Sequence, residues 1–306
     1  MAFTEGEVIA LLAQIFATKN SKVEVGIGDD AAVVKTTERT VITTDMAVEG
    51  VHFRCEWSSA FEIGRKITAA NLADVICMGA QPTFLVVAVS LTGEEELAWI
   101  KELAEGIVFE ANLVGATVVG GDLAKGEKIT IAITALGEVD KPVLRSGAVP
   151  GDQIYLSNLP GWSRAGYEIL SRGLPINNEF AERAVAAFKA PTLNYQYGQK
   201  LIGATAMSDL SDSLFTQGEQ MGKASAVELL IDFELFSAAT DFADLKKLAQ
   251  EFGLELRDLI LGGGEDHVYI ATGKNLPGLL IGEVIKGSGL KISGNEKAPD
   301  TWRHFD

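Results

Sequence analysis

Short β-branched runs alternate with helix-length stretches from one end of this chain to the other, which restricts the fold to sheets packed against helices. The β runs are residues 41–44, 84–89, 117–119, 128–136, 153–157, 204–207, 227–231, 267–272 and 279–284. Three capping boxes mark helix starts: Thr4 with Glu7, Ser59 with Glu62, and Thr92 with Glu95. The first precedes apolar Val8, Leu11, Leu12, Ile15 and Phe16; the second helix runs to Met78 and the third to near Gly115. Further helices are expected over 163–172, 178–188 and 194–203, and from about 212. The predicted class is α/β (α+β).

A chain of 306 residues, 47% of them hydrophobic, is long enough for two domains. The densest run of turn formers, Asp140-Lys141-Pro142 followed by Gly147 to Asp152, places the boundary, giving domains over 1–138 and 139–306.

Several classes are excluded. No apolar run approaches the ~20 residues that span a bilayer, and Glu5 and Glu7 interrupt the first apolar stretch, unlike a secretory signal. Two cysteines, Cys55 and Cys77, make no disulfide framework, and His52, His267 and His304 have no zinc-site spacing. A soluble protein of the reducing cytoplasm is expected. With 26 Lys plus Arg against 42 Asp plus Glu the formal charge is −16, which argues against a nucleic-acid or anionic-membrane partner.

A few of those carboxylates occupy unusual places. An apolar run ending in small polar residues and then aspartate occurs as Gly26-Ile27-Gly28-Asp29-Asp30, Val41-Ile42-Thr43-Thr44-Asp45, Val118-Val119-Gly120-Gly121-Asp122 and Ala206-Met207-Ser208-Asp209-Leu210-Ser211-Asp212. Asn71-Leu72-Ala73-Asp74 adds a carboxylate within a helix. Charges among apolar residues are costly to desolvate unless paired or bound to a cation. Aspartates at strand ends, with hydroxyls and glycines beside them, suit Mg²⁺, which takes oxygen ligands and leaves positions for phosphate. Any single aspartate could equally be a turn or N-cap residue; five occurrences favour metal. There is no GxxxxGK[ST] loop and no GxSxG elbow, and residues 26–31 fit GxGxxA only with two carboxylates where a pyrophosphate would lie.

Seven motifs in order, GIGDDAAVV at 26–34, TTDMAVEGVHF at 43–53, NLADVICMGAQP at 71–82, VGGD at 119–122, LRSGAVPGD at 144–152, DLSDSL at 209–214 and GGGED at 262–266, resemble those of thiamine-monophosphate kinases. Those enzymes belong to the superfamily of aminoimidazole ribonucleotide synthetase. The resemblance, covering about residues 5–305, implies an N-terminal mixed sheet with helices that dimerises into a barrel-like sheet and a C-terminal α/β sandwich. It also implies ATP in the cleft between the domains and ATP- and Mg²⁺-dependent conversion of thiamine monophosphate to thiamine diphosphate.

Carried onto matching positions, the resemblance makes Asp30, Thr43, Thr44, Asp45, Asp74, Asp122, Asp209 and Asp212 ligands of several Mg²⁺ ions. It makes Gly121, Asp122, Arg145 and Ser211 contacts to ATP, and His52, Glu265 and Trp302 contacts to the acceptor. Asp45, Asp122, Arg145 and Asp209 would carry the transfer. Structural roles stand beside these: Arg145 in an ion pair, His52 as a satisfied loop residue, Trp302 sealing a core. Phosphoryl transfer needs mainly positioning and charge neutralisation, and the acceptor phosphate is already anionic, so no general base is required. Glu265 would answer the cationic thiamine and Trp302 would stack on a ring.

The chain departs from the family pattern at Ser213, where a glycine is usual, at Leu123 for a threonine, at Asn194 for an arginine, and at residues 267–269, which read His-Val-Tyr. A Cβ at Ser213 is expected to crowd the phosphate site. Three alternatives follow. A selenophosphate synthetase would need a reactive cysteine in an N-terminal glycine-rich segment, and none precedes Cys55. An aminoimidazole ribonucleotide synthetase and a degenerate, non-catalytic ATP-binding paralogue are the others.

Overall fold

The computed structural model describes residues 4–27, 31–201, 203–294, 299 and 301. The chain forms two compact units, one of residues 1–76 and 80–140, the other of 77–79 and 141–306.

The first unit opens with helix α1 (Glu5–Ile15), held by the capping box in which Thr4 and Glu7 bond reciprocally. A short hairpin, β1 (Val23–Val25) and β2 (Val33–Val34), follows. Its main sheet has the order β3 (Thr40–Val48), β6 (Thr130–Glu138), β4 (Gln81–Leu91), β5 (Thr117–Lys125). The β3–β6 and β6–β4 pairs are antiparallel and β4–β5 is parallel, so the sheet is mixed. Helices α2 (Ala60–Cys77) and α3 (Leu97–Asn112) bury Ile63, Leu72, Ile76, Leu103 and Ile107, and Ile131 and Ile133 of β6 are fully buried as well. The opposite face stays open: Ile42 is 65% and Met46 58% exposed.

The second unit contains β7 (Gln153–Leu156), α4 (Trp162–Ser171), α5 (Glu179–Lys189), α6 (Tyr195–Lys200), β8 (Ala206–Asp209), α7 (Leu214–Ser225), β9 (Glu228–Ile231), α8 (Phe242–Phe252), α9 (Leu256–Gly262), β10 (Tyr269–Gly273), β11 (Leu279–Ile285) and β12 (Gly289–Ile292). Its sheet runs β12-β9-β11-β7-β10-β8, antiparallel except for the β12–β9 pair. The core joins Ile154, Leu156, Ile270 and Ile281 of the sheet to Ile169, Leu214, Met221, Leu245 and Ile260 of the helices. Among the described residues no helix is long and apolar enough to cross a membrane.

Three expectations need correction. Asp45 and Asp122 do not end strands; each lies inside a nine-residue strand. Glycine explains the continuation at β5: a Cβ on Gly121 would lie 2.1 Å from the Val87 carbonyl oxygen, so only a bare backbone keeps this parallel approach. Helix α3 starts at Leu97, not near Thr92. Thr92 and Glu95 do bond, Thr92 N–H donating to Glu95 at 3.0 Å, but Gly93 stands at φ 89, which no helix continues. Strand β10 begins at Tyr269 because His267, at φ 48, is left-handed.

Candidate active site

In the first unit the metal-binding candidates meet between β3 and α2. Alternation along β3 turns Ile42, Thr44 and Met46 to the open face and Thr43, Asp45 and Ala47 to the other side. The Thr43 hydroxyl donates to Asp74 Oδ2 at 2.7 Å. Asn71, one turn earlier on α2, accepts the Asp45 N–H on Oδ1 at 3.1 Å and donates from Nδ2 to the Ile67 carbonyl at 2.9 Å. This fully buried amide therefore pins the strand to the helix at the residue that carries the carboxylate. Sequence reasoning quoted Asn71 without giving it a role; its signal is a buried polar group three residues before Asp74. Thr44 instead donates to the Ile133 carbonyl at 3.0 Å and accepts from Thr134.

Asp122 lies at the other edge of the sheet. It pairs in register with Ala88, Ala88 with Ala132, and Ala132 with Met46, which puts it on the open face with Met46. Three strand spacings of about 4.8 Å separate β5 from β3, roughly 14 Å. Within the first unit Thr43 and Asp74 are thus in contact and Asp45 is tied to α2 by its N–H, while Asp122 lies at the far edge of the sheet. Beside β5 opens a cavity of about 820 Å³, lined by Leu12, Val87, Leu103, Ala104 and Leu123 together with Gly120, Gly121 and Asp122.

In the second unit two loops carry the candidates. The loop after β8 holds Asp209, Ser211 and Asp212; the loop before β10 holds Glu265. They are laced by Glu265 N–H to Ser211 O at 2.7 Å, His267 N–H to Leu210 O at 3.2 Å and Leu210 N–H to Val268 O at 2.8 Å. Asp209 is buried, and its Oδ2 lies 2.9 Å from His267 Nδ1, so the histidine that departs from the family pattern is in contact with a candidate metal ligand. Ser213 is the N-cap of α7: its hydroxyl accepts Thr216 N–H at 3.0 Å, while its N–H donates to Gln217 Oε1 at 2.9 Å. Its φ of −177° is ordinary extended backbone that any residue adopts. The Gln217 amide also donates to Ser211 Oγ at 3.1 Å, an orienting bond that sequence reasoning missed. Arg145 is held beside β8 by the Met207 N–H to Leu144 O bond, and its guanidinium donates to Gln220 rather than pairing with an aspartate.

The remaining candidates are dispersed. His52 Nδ1 accepts the Val48 N–H at 3.1 Å, which places a neutral ring's proton on Nε2 and closes the turn after β3. Asp30 and Trp302 lie outside the described residues. Asn194 caps α6, accepting Tyr197 N–H at 3.1 Å.

The family model described as AIR synthase related protein, N-terminal domain, matches residues 28–139. A thiamine-monophosphate kinase of Corynebacterium glutamicum is 35% identical over 294 residues, 91% of this chain and 88% of that protein. The chain belongs to the thiamine-monophosphate kinase family. Another member, from Mycobacterium tuberculosis, is 37% identical over 80% of this chain and 74% of its own length. Among solved structures of these kinases, AaThiL complexed with AMPPCP and TMP superposes with a TM-score of 0.82 at 28% identity, covering 98% of this chain and 97% of that one. The thiamine-monophosphate kinase of Stenotrophomonas maltophilia gives 0.81 at 26% identity, with 95% and 96% covered. Structures of HypE, at 15–18% identity, share the fold.

Proposed function

We propose that this chain transfers the terminal phosphoryl group of ATP to the phosphate of thiamine monophosphate, yielding thiamine diphosphate and ADP. The bond from the γ-phosphorus to the β,γ-bridging oxygen breaks, and an acceptor phosphate oxygen forms the new bond. The observation that carries this reading is the oxygen-only donor set of Thr43, Asp45 and Asp74, fixed by Asn71, in a chain of this family. Hydroxyl and carboxylate oxygens are the donors that Mg²⁺ prefers, so the residues fit that ion. Mg²⁺ ions would be held by Thr43, Asp45 and Asp74 in the first unit and, separately, by Asp209 and Asp212 in the second, with Thr44, Asp122 and Asp30 as further ligands. Bound there, Mg²⁺ supplies charge neutralisation on the transferring phosphates.

The chain's own groups do the rest. Ser211 and Arg145 would contact the donor phosphates, with Gly121 and Asp122 of β5 as further nucleotide contacts. The cavity beside Gly120–Asp122 has the size of a nucleotide pocket and an apolar wall suited to a purine base. The acceptor contacts are assigned to His52, Glu265 and Trp302. We further infer a homodimer in which the open sheet faces of two copies meet. It is favoured by the exposure of Ile42 and Met46 and by the placement of Asp122 on that same open face, a whole sheet away from Asp45.

Purified protein incubated with ATP, Mg²⁺ and thiamine monophosphate is expected to form thiamine diphosphate; ATP binding without product would instead favour the degenerate-paralogue reading. Asp45→Asn, which keeps size and removes charge, is expected to lower kcat by about 10²-fold or more with an unchanged melting temperature. Turnover near that of the unaltered chain would remove Asp45 from the metal site.

A further inference from the structure

Residues 264–268 are held from two sides in a conformation that most sequences avoid. Glu265 at φ 61 and His267 at φ 48 both occupy the left-handed region without being glycine, at a cost of about 1 kcal/mol or more each. Such backbone persists only where its surroundings over-determine it. On one side Glu265 N–H and His267 N–H are bonded to the loop after β8. Gly264 permits that closeness: a Cβ there would stand 2.3 Å from the Asp212 carbonyl oxygen. On the other side the Asp266 carboxylate grips the first turn of α4, Oδ2 accepting Gly161 N–H at 2.8 Å and Oδ1 accepting Ser163 N–H at 2.9 Å. Asp266 lies between the two strained residues, so a two-point clamp to a rigid helix sits at the centre of the turn.

We propose that Asp266 is a positioning residue for acceptor recognition: its clamp on α4 fixes the left-handed turn that presents the Glu265 side chain. The proposal rests on the reading of Glu265 as an acceptor contact. A merely structural cap of α4 would lower the folded fraction, and so the apparent kcat, leaving both KM values unchanged; a positioning residue acts through Glu265 and therefore selectively on the acceptor KM.

The full chain is assayed as Glu265→Gln, Asp266→Asn and the double variant, with KM measured separately for thiamine monophosphate and ATP, and amide hydrogen exchange followed over 263–268. Each single substitution is expected to raise KM for thiamine monophosphate about tenfold and KM for ATP by less than about twofold. The double variant is expected to be no worse than Glu265→Gln, because residues acting as one unit are not additive. Exchange at Glu265 and His267 is expected to quicken about tenfold or more in Asp266→Asn.

The proposal is overturned if Asp266→Asn leaves KM for the acceptor unchanged, if the two effects multiply, if both KM values rise alike, or if exchange over the turn is unaltered. When Glu265→Gln raises the acceptor KM and Asp266→Asn does not, the proposal alone fails. When Glu265→Gln has no effect, the acceptor reading of Glu265 fails, and the presenting role of Asp266 with it. Should Asp266→Asn not fold, Asp266→Glu, which keeps the charge and shifts the carboxylate by one methylene, carries the same comparison.

Discussion

The hydroxyl of Ser213 does what a glycine at that position could not, accepting the Thr216 N–H at the start of α7. Removing an N-cap acceptor costs about 1 kcal/mol when alanine replaces it and only a few tenths with glycine. Ser213→Ala is therefore expected to lower stability by about 1 kcal/mol in urea denaturation, and Ser213→Gly by less than half of that. Asp266 makes a pH-dependent contribution. Burial pushes its carboxyl up from 3.8 to about 6, helped by the neighbouring Glu265 and opposed by the two backbone N–H donors and His267. Between about pH 4 and 6 the folded chain holds a proton there that the unfolded chain has lost, so this group's contribution to stability falls as pH rises through that window. Denaturation midpoints of the unaltered chain relative to Asp266→Asn are expected to decline from pH 4 to pH 6 and level off above it. The carboxylates themselves were legible as residues among apolar neighbours. Their orienting partners Asn71 and Asp266 were not, because a hydrogen bond between positions 26 or 105 residues apart leaves no local pattern.

Strand β5 continues through Gly120 and Gly121 only because no side chain meets the Val87 carbonyl. Gly121→Ala is expected to separate β4 from β5 locally and to destabilise the fold by about 1–3 kcal/mol, read from a lowered denaturation midpoint. The alternation of strand and helix was legible wherever caps or β-branched runs marked it, as at Thr4 for α1 and over the apolar stretch of β4. Helix α8 lacked that mark. Asp241 precedes it but gives no cap bond, since its carboxylate receives the Trp162 indole N–H at 2.9 Å and also pairs with Arg183. Strands β1 and β2, of three and two residues, are shorter than any period that could reveal them.

The sheet of the first unit has one face packed by helices, while on the other Ile42, Met46 and Val86 are exposed, apolar side chains of the kind that mark an interaction site. Met46→Glu is expected to shift the proposed homodimer toward monomer in sedimentation experiments and to lower turnover, while far-UV circular dichroism stays unchanged. The bond between Asp45 N–H and Asn71 also ties chemistry to assembly. A one-residue slip of β3 against β6 would turn Thr44 and Met46 toward α2 and leave Asp45 on the bare face. A chain so misaligned would keep most of its strand pairing yet present no carboxylate beside Asp74. A cation that binds only the aligned sheet stabilises that sheet alone, so the Mg²⁺ proposed for turnover would also act as a proofreader of strand alignment during folding.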